Sequence, residues 1–204
     1  MISLFVQEFI GALVQAVGFA LIPFIVWLIV GRKKENFPAY VGLKKPEPEK
    51  PALPAWCMTI GVTLVYGVTA YLVTKYMLTD VENATTSTFA GQGAKAIPAV
   101  LAYAFIRTGF SEELFFRGFL LKRLASKMNF TAANVIQALL FGSLHGVPIF
   151  LATKNVLALV LLTLLPACMG FVMGWLDEKK NGGSIVPSWL LHGTMNLISA
   201  ALSL

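Results

Sequence analysis

An all-α, polytopic membrane helix bundle is the fold class this sequence predicts, and three observations carry that reading. Of 204 residues, 57% are hydrophobic and only 13% charged, against about 25% charged in a typical soluble chain. The mean hydropathy is +0.74. The apolar residues fall in about six long, continuous runs, most of them near the roughly 20 residues a helix needs to span a bilayer. A membrane β-barrel would instead show alternating segments of about ten residues. The runs are expected to form a single integrated membrane domain. Residues 1–94 supply two spans and a basic loop, and residues 95–204 supply the polar motifs.

The first run extends from about Leu4 to Val30, with Pro23 as a point of kinking. A basic loop to about Ala55 follows, and its Lys45–Pro51 stretch, with a proline at every second or third position, reads as an extended linker. The second run covers about Trp56 to Leu78 and ends in a polar loop with Asp80, Glu82 and Asn83. The third, about Lys95 to Leu124, would be roughly 45 Å long, so it must tilt or break. Gly109 followed by Ser111-Glu112 reads as a helix stop and N-cap, which predicts a kink or a short interfacial helix before the charged motif. The fourth run (about Thr131–Ile149) carries Gly142 and Gly146, and the fifth (about Asn155–Leu176) carries Gly170 and Gly174. Both are small-xxx-small spacings that allow close helix approach. The sixth runs from about Ser184 onward. Cys57 and Cys168 lie in different runs and read as small apolar residues.

Loop charges give an expected orientation. Arg32, Lys33, Lys34, Lys44, Lys45, Lys50, Lys122, Arg123, Lys127, Lys179 and Lys180 fall in loops on one side, and Lys75, Lys95 and Lys154 on the other. The positive-inside rule makes the first side cytoplasmic and puts both termini outside. Positive charge confined to short loops fits anionic lipid headgroups rather than nucleic acid.

The informative residues are those that do not suit a bilayer. Glu112, Glu113 and Arg117 sit within an apolar segment, and both histidines, His145 and His192, fall inside runs. An intramembrane ionisable group costs roughly 2.5–3.5 kcal/mol and so marks function or pairing. From the cytoplasmic border, at about 1.5 Å per residue, Glu112 lies about 15 Å deep, His145 about 21 Å, His192 about 12 Å and Asn196 about 18 Å. Polar groups from three runs thus share one level. Glu113 and Arg117 are spaced i,i+4 and can pair, and Glu112 points about 100° away around the helix. His192 and Asn196 share a face, as do Phe141 and His145.

In order along the chain, Glu112-Glu113-x-x-x-Arg117, Phe141-x-x-x-His145 and His192-x-x-x-Asn196 resemble the CPBP family of intramembrane proteases. That family includes CAAX prenyl endopeptidases of the Rce1 type and bacterial relatives linked to bacteriocin processing and immunity. The resemblance covers about residues 95–204, including the Gly182-Gly183-Ser184 lead-in to the last helix. It implies hydrolysis of a peptide bond in a membrane-associated peptide or lipidated protein, in a bacterial cell membrane. Glu112 with His145 would activate water, and His192 and Asn196 would stabilise the oxyanion. Glu113–Arg117 would orient the glutamate helix and offset its charge. No cofactor is expected. The alternative is a zinc site formed by Glu112, His145 and His192, which lacks the HExxH spacing. Two other functions compete: a bacteriocin-immunity protein that binds a peptide without cutting it, and a proton-coupled transporter. The second lacks the internal repeats of transporters.

Overall fold

The computed structural model describes residues 3–50, 52–78, 84–202 and 204, apart from the side chains of residues 84–86. Pro51, Asp80, Glu82 and Asn83 of the expected loops lie outside the described residues. Every regular element among the described residues is helical. In chain order these are α1 (Leu4–Val26), with a π-helical turn at Trp27–Gly31, α2 (Phe37–Tyr40), α3 (Leu53–Met77) and α4 (Ala84–Phe89). A succession of helical turns follows: a 3-10 turn at Ala94–Ala96, α5 (Ile97–Leu101), π-helical Ala102–Phe110, α6 (Ser111–Glu113), π-helical Leu114–Leu121 and α7 (Lys122–Ala125). The last three are α8 (Phe130–Thr153), α9 (Val156–Trp175), extended by π-helical Leu176–Lys180, and α10 (Val186–Ala201).

Four of these helices are long and apolar enough to cross a membrane: Leu4–Gly31, Leu53–Met77, Phe130–Thr153 and Val156–Lys180. They coincide with the first, second, fourth and fifth expected runs. The other two runs are helical as well. One carries Lys95, Arg107, Glu112, Glu113, Arg117, Lys122 and Arg123, and α10, at 16 residues, is shorter than the others. The long helices expose what a soluble helix would bury. In α1 the buried residues are Glu8, Ala12 and Pro23, while Val14 and Val17 are 68% and 67% exposed. Burying such side chains from water needs lipid, and the chain is an integral membrane protein.

Contacts group the chain into two compact units. The first takes in Met1–Lys45, Glu82–Phe119 and Ser184–Leu204. One of its apolar clusters joins Phe89, Ala96, Ala99, Val100, Tyr103 and Ala200. Another joins Tyr40, Val41, Leu114 and Ile185, with Phe110 and Phe119 packed against it. The phenylalanines of the charged segment therefore serve packing, as Phe116 at 3% exposure also shows. Helix α2, unforeseen within the basic loop, is capped by Asn36, whose side chain accepts from Ala39 N at 2.9 Å. It leads into Val41, whose carbonyl lies where a Cβ on Gly118 would come within 2.5 Å. Only glycine fits at that crossing.

The second unit takes in Pro46–Val81 and Leu120–Gly183. Its seam between α8 and α9 is built from the glycines whose spacing predicts close approach. A Cβ on Gly142 would collide with the Thr163 carbonyl, and one on Gly146 would come within 2.6 Å of the Leu159 carbonyl. From the opposite helix, Gly170 faces Ala138 and Phe141, and Gly174 faces the Asn134 amide. That closeness lets Asn134 Nδ2 donate to the Phe171 carbonyl (2.9 Å) and Gln137 Nε2 to the Gly170 carbonyl (3.0 Å). Gly142→Val is expected to destabilise the protein by about 1–3 kcal/mol through overpacking. Thermal unfolding in detergent should show a lowered midpoint, and an unchanged one would mean the seam yields. The loop before α10 is held by Lys122, which pairs with Glu178 and donates to the Gly183 carbonyl at 2.8 Å. The 45–49 linker has no regular structure, as expected, and Glu49 N donates to the Lys180 carbonyl at 2.9 Å.

Candidate active site

The charged motif sits in backbone that is helical throughout but not regularly α. At Ala102–Phe110 the turns widen to i→i+5 bonding, and Ser111 N–H reaches back to the Ile106 carbonyl. Two side chains follow the same register: Thr108 Oγ1 donates to the Tyr103 carbonyl (3.0 Å) and Ser111 Oγ to the Ile106 carbonyl (3.0 Å). The helix stop expected at Gly109–Ser111 is therefore absent. Ser111 has φ −60° and ψ −45°, and its hydroxyl bonds backward instead of capping. The irregularity takes the form of π turns, which cluster at functional positions in helices. Gly109 is needed for another reason. A Cβ there would lie 2.7 Å from the Ala104 carbonyl and 3.3 Å from Gly193 N of α10. The two glycines bring α10 against the charged segment, and Trp189 Nε1 fixes the approach by donating to the Phe105 carbonyl at 2.6 Å.

This approach sets the geometry of the ionisable groups. Glu113 Oε2 lies 2.9 Å from Arg117 Nε, the expected i,i+4 pair, with both side chains fully buried. Its other oxygen, Oε1, lies 2.8 Å from His192 Nδ1. The Ser188 hydroxyl, on the same helix as His192, donates to the Ile185 carbonyl at 3.0 Å. A guanidinium stays charged, and a carboxylate paired with it only accepts, so Nδ1 of His192 is the donor. That bond fixes the imidazole's orientation. The other nitrogen, Nε2, lies 3.9 Å from Glu112 Oε2. One imidazole thus stands between two consecutive carboxylates that diverge around the helix. Glu113 is wholly committed to its buried partners, while Glu112 keeps 16% of its side chain exposed.

Asn196 Nδ2 donates to Thr108 Oγ1 at 2.7 Å. The sequence reading assigns no role to Thr108, nor to Ser188. A second ion pair in this unit also escapes it: Arg107 Nη1 meets Glu8 Oε2 at 2.6 Å, with Glu8 buried. The signal for that pair lay in two opposite charges, each isolated in an apolar run and each needing a partner. His145 belongs to the second unit. There its Nδ1 lies 3.0 Å from the Phe141 carbonyl and the two rings are 4.8 Å apart, which realises the shared face. A carbonyl only accepts, so Nδ1 is the donor in that contact. Of the sequence-derived candidates, Glu112, Glu113, Arg117, His192 and Asn196 lie in the first unit.

Fold and site together define a helical integral membrane protein with an acid–base constellation inside one of its units. A family model described as type II CAAX prenyl endopeptidase, Rce1-like, matches residues 94–198, just over half the chain and all three motifs. The chain belongs to this Rce1-like family of endopeptidases. No curated protein and no solved structure matches it significantly.

Proposed function

We propose that this protein is an intramembrane endopeptidase that hydrolyses a peptide bond in a membrane-associated peptide or lipidated protein by glutamate-activated water. The observation that carries the reading is the division of labour around His192. Glu113 is locked between Arg117 and the Nδ1 of His192, and Glu112 is left beside Nε2. Glu112 takes a proton from water as the hydroxide adds to the scissile carbonyl carbon. His145 is the second candidate base on the strength of its Phe141-x-x-x-His145 motif alone. The tetrahedral oxyanion accepts from Asn196 Nδ2–H and from His192. Because Nδ1 already donates to Glu113, His192 donates from Nε2 only as imidazolium, whose charge Glu113 offsets. Return of the proton to the leaving nitrogen breaks the C–N bond and yields a carboxylic acid and an amine, between which a proton then passes to leave carboxylate and ammonium.

In this proposal the basic loops face the cytoplasm, against anionic headgroups, and the termini face outward, in a bacterial cell membrane. The chemistry needs no metal. The alternative form places zinc on Glu112, His145 and His192, and chelation separates the two. The test uses the purified chain in proteoliposomes and a fluorogenic peptide ending in a farnesylated CAAX sequence. Cleavage that survives 1,10-phenanthroline is expected. Loss of cleavage to the chelator with recovery on adding Zn²⁺ overturns the metal-free form, and intact folded protein that never cuts this or a leader-type peptide overturns the endopeptidase reading.

A further inference from the structure

Resting on that reading, we propose that Thr108 is a positioning residue that sets the amide orientation of Asn196 and thereby aims its free N–H at the reaction's oxyanion. The Thr108 hydroxyl has a single proton. It is directed at the Tyr103 carbonyl at 3.0 Å, with the Ala104 carbonyl at 3.3 Å as a secondary acceptor. Towards Asn196 the same oxygen can therefore only accept. At 2.7 Å it selects the Nδ2 end of the amide. One Nδ2 proton is held by Thr108, and the other diverges from it in the amide plane as a donor of fixed direction. Were the amide reversed, Oδ1 would occupy that position and repel an oxyanion.

Two features of the sequence make the arrangement possible. The π-helical turns at Ala102–Phe110 put the Tyr103 carbonyl five residues behind Thr108, within reach of its hydroxyl. The Gly109–Gly193 approach brings α10 near enough for a short side chain to meet Asn196. A threonine in a regular helix would bond to the carbonyl four residues back and need have no cross-helix partner. Nothing in the packing alone requires a hydroxyl here, since valine has nearly the same shape.

The experiment compares Thr108→Val, Thr108→Ser, Asn196→Ala and the Thr108→Val/Asn196→Ala double variant in proteoliposomes with the farnesylated fluorogenic peptide. Thr108→Val is expected to lower kcat by roughly 10-fold or more with KM little changed, up to the roughly 10²–10³-fold seen when an oxyanion donor is lost outright. Thr108→Ser should recover most of the activity. The double variant should be no slower than Asn196→Ala, because the two residues act as one unit. In parallel, 15N spectra in detergent, with the Asn196 side-chain signal identified by its absence in Asn196→Ala, should show that signal shifted in Thr108→Val and retained in Thr108→Ser. An unshifted signal, or additive losses in the double variant, overturns the positioning role. If the parent protein cuts no peptide while the signal behaves as expected, the endopeptidase reading fails and the role of Thr108 in catalysis fails with it, but the hydrogen bond stands.

Discussion

Glu112→Gln is expected to slow peptide cleavage by roughly 10²–10⁴-fold, the contribution of a general base, with membrane insertion and thermal unfolding close to those of the parent. The substitution keeps the shape of the side chain and removes only its ability to take a proton. Glu112 meets His192 Nε2 at 3.9 Å, too long for a hydrogen bond, so little structural stabilisation depends on its charge. Its neighbour provides the control. Glu113→Gln leaves the buried Arg117 without its carboxylate and the His192 Nδ1 with a neutral acceptor, so it should lower both stability and activity. The contrast is readable in one series: activity lost with the melting midpoint held for Glu112→Gln, both lost for Glu113→Gln. Cleavage by Glu112→Gln at the parental rate would remove Glu112 from the chemistry.

The sequence made the long helices legible because the property that defines them, an unbroken apolar run, is local and strong. Leu4–Gly31, Leu53–Met77, Phe130–Thr153 and Val156–Lys180 lie within a few residues of the runs expected. The small-residue spacings were legible for the same reason, since glycine at i and i+4 marks one face whatever faces it. The π-helical turns were not. An i→i+5 register alters neither composition nor apolar content, and its local sign, Ser111 after Gly109, reads equally as a helix stop. Helix α2 was hidden by the charges around it, although Asn36 followed by Pro38 is a helix-start signal.

At the site, what could be read was again what is local. Glu113 and Arg117 pair because they sit one turn apart on their own helix. Glu113–His192 and Thr108–Asn196 join residues 79 and 88 apart in sequence, and no spacing rule connects them. The sequence assigns Glu113 to Arg117 alone and turns Glu112 toward the histidines. The structure instead has Glu113 serve Arg117 and His192 together, one carboxylate oxygen to each. The physical reason is stoichiometric. A fully buried carboxylate has two oxygens to satisfy, and a guanidinium that meets it at Nε faces only one of them.

The same stoichiometry predicts the largest loss of stability. Arg117→Met is expected to destabilise the protein by about 3–5 kcal/mol, because it strands a charged, fully buried Glu113. Methionine fills much of the space but offers no donor, so packing loss alone should be small. Arg117→Lys keeps the charge yet loses the planar fork that fits Glu113, and it should fall between parent and Arg117→Met. Adding Glu113→Gln to Arg117→Met removes the stranded charge and should recover part of the loss, with His192 Nδ1 still donating to the amide oxygen. Unfolding midpoints in detergent for the parent, the two single variants and the double variant complete the cycle. If the double variant were as unstable as the sum of its singles, Glu113 and Arg117 would not act as a pair, and the electrostatic account of this buried segment would have to be abandoned.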